Sequence, residues 1–254
     1  MFNKRLVVLM TATAFPGAYA DALTATDPGE RVRSYAAALR FWLELSDPRI
    51  EGIVVCDNST TDFSSIKSYI ADLANNRPIE WLGFLGNERP PGMHYGYAEL
   101  GQIDFALENS ELLRDSAFFL KATGRLIFPR VVALLDALDE DTLFCADFRR
   151  AYRKEHGVRA RARTQLIFSN KKFYRQQFFG RRDEMFGKCS HIEEYMALKL
   201  FPNHLRPRIK LRFPVECPAA GIDGSTGRSL SGPLEVAKSA ARGVVRRLLP
   251  ELWL

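Results

Sequence analysis

Three short clusters in this 254-residue chain combine side chains that can bind phosphate or ribose or move a proton. Asp57-Asn58-Ser59 follows directly on the apolar run Ile53–Cys56. A carboxylate there can accept from ribose hydroxyls or a base N–H, with Asn58 and Ser59 as short polar partners. An ordinary cap for a helix beginning near Ser64 uses the same residues. Lys121 and Arg125 bracket Thr123-Gly124, where two cations can neutralise a diphosphate and the glycine lets backbone approach a ligand; a surface turn accounts for them equally. Glu99 and the pair Glu193-Glu194 stand at the starts of helical patterns. There carboxylates also serve simply to favour the positive end of the helix.

Other chemistries are poorly served. Cys56, Cys145, Cys189 and Cys217 are far apart, and no C-x-x-C or H-E-x-x-H spacing accompanies the four histidines, so no zinc site is expected. The thiols read as buried and free, as in a reducing, cytoplasmic compartment. Met1–Ala20 imitates a secretory leader, with Asn3-Lys4-Arg5 before LVVLM and Ala18-Tyr19-Ala20 after it. The apolar run of LVVLM is shorter than the roughly 7 to 15 residues a leader needs, so a buried first strand, LVVLMTAT, is the preferred reading. No stretch approaches the roughly 20 apolar residues of a membrane span. The formal charge of +6 favours an anionic partner without choosing one.

These clusters need a scaffold, and the chain supplies alternation. Asp27-Pro28-Gly29-Glu30 is a capping box opening an amphipathic helix whose apolar face carries Val32, Tyr35, Ala36, Leu39, Trp42 and Leu43. Next are expected a strand at Ile53–Cys56, a helix at Ser64–Ala74, a strand at Ile79–Leu85, a helix at Tyr97–Leu113 and a strand at Ala117–Ala122. The order β-α-β-α-β-α-β with apolar strands predicts an α/β, Rossmann-like fold: a mostly parallel central sheet with helices on both faces. Ligands of such sheets sit at the carboxyl ends of the strands. That rule selects the turn after Thr13, Asp57-Asn58-Ser59 and Thr123-Gly124-Arg125.

The same residues carry a resemblance. CDNSTTD after the second strand resembles the strand-end Asp of GT-A-type glycosyltransferases, which implies donor-nucleotide contacts by Asp57. The pattern Gly96–Leu107, FFLKATGRL (Phe118–Leu126), CADFRR (Cys145–Arg150), FSNKKFY (Phe168–Tyr174), HIEEYMA (His191–Ala197) and GIDGSTGR (Gly221–Arg228) resemble, in order, a bacterial group of such proteins with K-x-T-G-R in place of the metal-binding D-x-D. The resemblance implies a GT-A domain over residues 1–232 and a nucleotide-sugar donor, UDP-, GDP- or CMP-linked. Donor-binding residues would be Thr13, Asp57, Asn58, Ser59, Glu99, Lys121, Thr123, Gly124, Asp147, Arg149, Ser225, Thr226 and Arg228. Because the D-x-D is missing, a divalent metal is not expected, and Arg125, Lys121 and Arg228 would stabilise the leaving diphosphate. Glu193-Glu194 resembles the acidic pair of inverting enzymes, with Glu194 the first choice as base and Glu193 the second.

Two basic features remain. From Arg149 to Lys188, thirteen Lys or Arg face three acids, interleaved with Phe168, Phe173, Tyr174, Phe178 and Phe179. This composition suits single-stranded nucleic acid, but core packing of the aromatics and an acidic glycan acceptor are preferred. Residues 233–254 form a basic amphipathic helix, either docked on its own domain or lying on an anionic membrane surface with Trp253 at the interface. The expected activity is sugar transfer to a glycan or lipid-linked acceptor in bacterial surface polysaccharide synthesis. The alternatives are a sugar-nucleotide nucleotidyltransferase and an inactive nucleotide- or polyanion-binding protein.

Overall fold

In a computed structural model, which describes residues 1–16, 27–73, 76–149, 161–203, 206–224 and 226–249, the first apolar run is strand β1, Leu6–Ala12, buried along its whole length. Asp27 caps α1 (Pro28–Glu44), its Oδ1 accepting from Glu30 N at 2.7 Å. The chain continues through β2 (Ile50–Asp57), α2 (Ser64–Ser68), β3 (Ile79–Gly83), α3 (Gly96–Asn109), α4 (Glu111–Asp115), β4 (Phe118–Thr123) and α5 (Val131–Asp136). Then follow β5 (Phe144–Arg149), β6 (Arg161–Asn170), α6 (Lys171–Gln177), α7 (Ile192–Leu200), β7 (Ile209–Lys210) and α8 (Pro233–Leu248).

Seven strands form one sheet in the order β3-β2-β1-β4-β6-β5-β7, in which β6 alone runs antiparallel to its neighbours. Successive residues of β1 feed opposite cores: Leu6, Val8 and Met10 pack under α1 with Trp42 and Leu39, while Val7 and Leu9 pack with Ile103, Tyr174 and Met196 of α3, α6 and α7. The chain therefore has the expected α/β architecture, a mostly parallel sheet covered on both faces.

Three elements depart from expectation. The helix expected over Tyr97–Leu113 is two helices, because Ser110 leaves the helical conformation and caps α4 by accepting from Leu113 N at 2.9 Å. The helix after Asp57 is one short turn, and β3 stops at Gly83 rather than Leu85. The aromatic residues Phe168, Phe173, Tyr174 and Phe178 are core side chains, so they offer no stacking platform to a nucleic acid.

The last helix docks on its own domain, one of the two readings open to it, and does so by its polar side. Its polar stripe, Ser239, Arg242 and Arg246, turns inward: Arg246 reaches Asp147 at 2.6 Å and Glu216 at 2.7 Å, and Arg242 reaches Glu216 at 3.1 Å. Leu234, Val244 and Leu248 are exposed instead. Arg246 is thus committed to the domain, while Arg242 also lines the cleft described below; Trp253 lies outside the described residues. Among the described residues no helix is long and apolar enough to cross a membrane.

Candidate active site

Parallel β1 and β4 are neighbours whose chain connections leave to opposite sides, β2 on one and β6 on the other. Backbone helices diverge at such a point and leave a crevice beyond the strand ends. Here the crevice is a cleft of about 820 Å³, lined by Thr11 and Thr13 at the end of β1, Asn58 after β2, Thr123 and Arg125 at the end of β4, and residues of α3, β6, α7 and α8.

The floor is held by side chains that bridge strand ends. Gln102 of α3 donates through Nε2 to both Ala12 O and Cys56 O at 2.6 Å, tying β1 to β2. Arg31 of α1 donates to Thr13 O at 2.8 Å and to the Tyr35 hydroxyl at 2.9 Å, and that hydroxyl accepts from Thr13 N. Thr13 Oγ1 in turn donates to Asn58 Oδ1 at 2.7 Å. An arginine one turn before a tyrosine in the buried stripe of α1 is the sequence signal for this support, and it is easily passed over as solvated surface.

Asp57 is fully buried and does not reach the cleft. Its oxygens accept from Ala14 N (2.9 Å), Ser59 N (2.7 Å) and Ser59 Oγ (2.6 Å), and Ser59 Oγ accepts from Phe15 N. Burial still raises its pKa above the ordinary aspartate range, against those hydrogen bonds. Asp57 and Ser59 therefore shape the β1 and β2 loops, and of the triplet Asn58 alone lines the cleft.

Lys121 and Gly124 also lie behind the lining. Lys121 is 1 % exposed, and its Nζ meets Glu99 Oε1 at 2.5 Å and Thr164 O at 2.7 Å. Its charge is spent on Glu99, which lines the cleft and also accepts from Thr11 Oγ1. Gly124 is needed for packing, since a Cβ there would stand 2.7 Å from Thr11 O and against the Tyr35 ring. Arg125 remains in the cleft, its Nε donating to Ile222 O at 3.3 Å. Thr226 and Arg228 line the same wall on a tight turn in which Asp223 Oδ1 accepts from Thr226 N and Oγ1; Ser225 lies outside the described residues.

The acidic pair divides. Gly96 lets the start of α3 close onto the start of α7, where a Cβ would meet Ile192 at 2.3 Å, and His94 N donates to Ser190 O. This abutment places Tyr95, Glu99 and Glu193 on one wall. Glu193 Oε2 is buried without a hydrogen-bond partner, and burial, reinforced by Glu99, raises its pKa. Glu194, the first choice as base, is 4 % exposed, pairs with Arg161 at 2.5 Å and is not part of the lining. Adjacent helical residues point about 100° apart, so only one of them faces the cleft. Asp147 is likewise behind it: burial raises its pKa, and Arg149 and Arg246 more than reverse that. Arg149 lines the cleft. Among the described residues no group of three His, Cys, Asp or Glu is placed to hold a metal.

Solved structures share this architecture at low sequence identity. The chain is similar to the bifunctional glycosyltransferase WbbM in its apo form, with a TM-score of 0.50 and 12% identity over 83% of this chain but only 39% of that one. It is similar to an active-site mutant of LgtC, with a TM-score of 0.51 and 12% identity over 76% of this chain and 69% of that one. The galactosyltransferase LgtC in complex with donor and acceptor sugar analogs gives a TM-score of 0.50 and 13% identity over the same shares. No protein-family description and no curated protein matches the chain. At such identities the likeness establishes the fold.

Proposed function

We propose that this protein is a glycosyltransferase that moves a sugar from a nucleotide-sugar donor to a glycan or lipid-linked acceptor. One observation carries the reading: the cleft at the β1/β4 crevice brings polar strand ends, Arg125 and a carboxylate with one buried, unpartnered oxygen into one space. The nucleotide would lie over Thr13 and Asn58. Arg125 and Arg228 would face the diphosphate, in place of the metal that a D-x-D would hold, and stabilise its developing charge. Glu193 replaces Glu194 as the proposed base: a carboxylate with an unused lone pair is positioned to take the acceptor hydroxyl proton as the glycosidic bond forms. The shared architecture with WbbM and LgtC agrees with this reading.

The test is a thermal-shift screen with UDP-, GDP- and CMP-linked sugars, followed by turnover assays with EDTA and with Mn²⁺. Stabilisation by one nucleotide class and EDTA-resistant turnover are expected, and Arg125→Ala should lower turnover by about 10² to 10³. Loss of activity in EDTA with rescue by Mn²⁺ would overturn metal independence. Binding without turnover would make this a nucleotide-binding protein instead.

A further inference from the structure

The cleft continues beyond the donor strand ends to a place where positive charge exceeds its partners. Antiparallel β5 and β6 put Arg163 opposite Asp147 and Arg161 opposite Arg149. α8 crosses this end and adds Arg242 and Arg246. Two buried carboxylates, Asp147 and Glu216, are shared by three arginines: Arg149 (2.6 Å to Asp147, 3.5 Å to Glu216), Arg242 and Arg246. Two further acids stand nearby: Glu235 is bonded to Lys238 at 2.7 Å, and Asp223 accepts from Thr226 N and Oγ1.

The Arg163 side chain is exposed and makes no ion pair or hydrogen bond among the described residues. Arg149, Arg163 and Arg242 line both the main cleft and a recess of about 50 Å³ beside it, whose remaining walls include Phe128, Phe213 and Leu230. Cations gathered against apolar walls hold a focused field that an anion relieves. Arginine forks suit the two-oxygen faces of phosphate and carboxylate.

This end lies on β5 and β6, whereas Thr13, Asn58 and Arg125 follow β1, β2 and β4. Two strand spacings, about 10 Å, separate the ends of β4 and β5. We infer that Arg149, Arg163 and Arg242 form an anion subsite for the acceptor, so that the acceptor carries a phosphoryl or carboxylate group beside the hydroxyl that is glycosylated. The inference rests on the glycosyl-transfer reading of the cleft.

Arg163→Gln is the informative variant, because Arg163 supports no other residue and its loss leaves Asp147 and Glu216 paired. Pyrophosphate and glucuronate are titrated calorimetrically into the full chain, into Arg163→Gln and into Arg125→Ala. Two pyrophosphate sites are expected, one weakened tenfold or more by Arg163→Gln and retained in Arg125→Ala, the other weakened by Arg125→Ala; glucuronate bound at the first would assign a carboxylate, and its absence a phosphoryl group. A single site, insensitive to Arg163→Gln, overturns the subsite. With a donor in hand, a panel of neutral, uronate-bearing and lipid-diphosphate-linked acceptors should show KM for the charged members rising at least tenfold in Arg163→Gln with a smaller change in kcat. Preference for neutral acceptors overturns the inference while leaving glycosyl transfer intact. A chain that neither binds nor turns over any nucleotide sugar fails the underlying reading instead.

Discussion

The end of β2 and the start of α7 each hold a buried carboxylate with a raised pKa, yet they are opposites. Asp57 spends its oxygens on three donors from its own and a neighbouring loop. Glu193 keeps one oxygen buried and unpartnered on a side chain that lines the cleft. A desolvated carboxylate with its hydrogen bonds complete is a structural strut, because a ligand could engage it only by breaking those bonds. One with a bare lone pair is unfinished within the folded chain, and a substrate proton can finish it. Burial and raised pKa alone do not separate the two; satisfaction does.

The strongest way to break this contrast is at Glu193. Glu193→Gln keeps shape and removes proton acceptance, so turnover should fall by about 10² to 10⁴ with little change in donor affinity. Glu194→Gln, which only weakens a contact to Arg161, should leave the rate within a few fold. Because the working base is ionised and its pKa is raised, the acidic limb of kcat/KM against pH should lie above the ordinary glutamate value of about 4.3. Equal losses in the two variants would erase the assignment.

At Asp57 the expected change is in stability. Asp57→Ala strands the Ala14 and Ser59 donors and should cost about 2 to 3 kcal/mol, with donor affinity falling only as far as the loops loosen. A urea titration measures it; an unchanged midpoint with lost nucleotide binding would return Asp57 to the site.

Asp104 on α3 sharpens the comparison on a smaller scale. Its Oδ1 is buried without a partner, its Oδ2 accepts from Gly180 N, and burial raises its pKa to about 6. A carboxyl raised in the folded state contributes fully below its unfolded value, near 3.9, and loses that contribution as pH rises toward 6. Asp104→Asn should therefore stabilise by about 1 to 2 kcal/mol at pH 7.5 and far less at pH 4.5. Melts at those two pH values decide it, and equal gains at both would mean the charge is already solvated.

Much of this was legible in the sequence. Apolar strands of the right length, the Asp27 capping box and the strand-end polar clusters predict the sheet and the edge at which its cleft opens. What each polar residue does there was not legible, because direction is a tertiary property. Asp57 and Lys121 have types suited to ligands but are consumed by Ser59 and Glu99, partners two and 22 residues away in sequence. Glu193 and Glu194 are indistinguishable as letters and differ by a turn of 100° that packing at Gly96 and Ile192 fixes. The inward polar face of α8 defeats its periodicity: a strong apolar stripe reads as the buried side, and here ion pairs with Asp147 and Glu216 decide otherwise.

The reversed strand in the sheet has a consequence for how substitutions read out. Since β6 runs against β5, Arg149 at the end of one strand and Arg161 at the start of the other are both lining residues. In a fully parallel sheet the start of the neighbouring strand would stand at the far edge, away from the cleft. Here two strands face one space, one by its end and the other by its beginning. Substitutions at either terminus therefore reach the same wall, while the floor held by Gln102 and Arg31 stays unchanged.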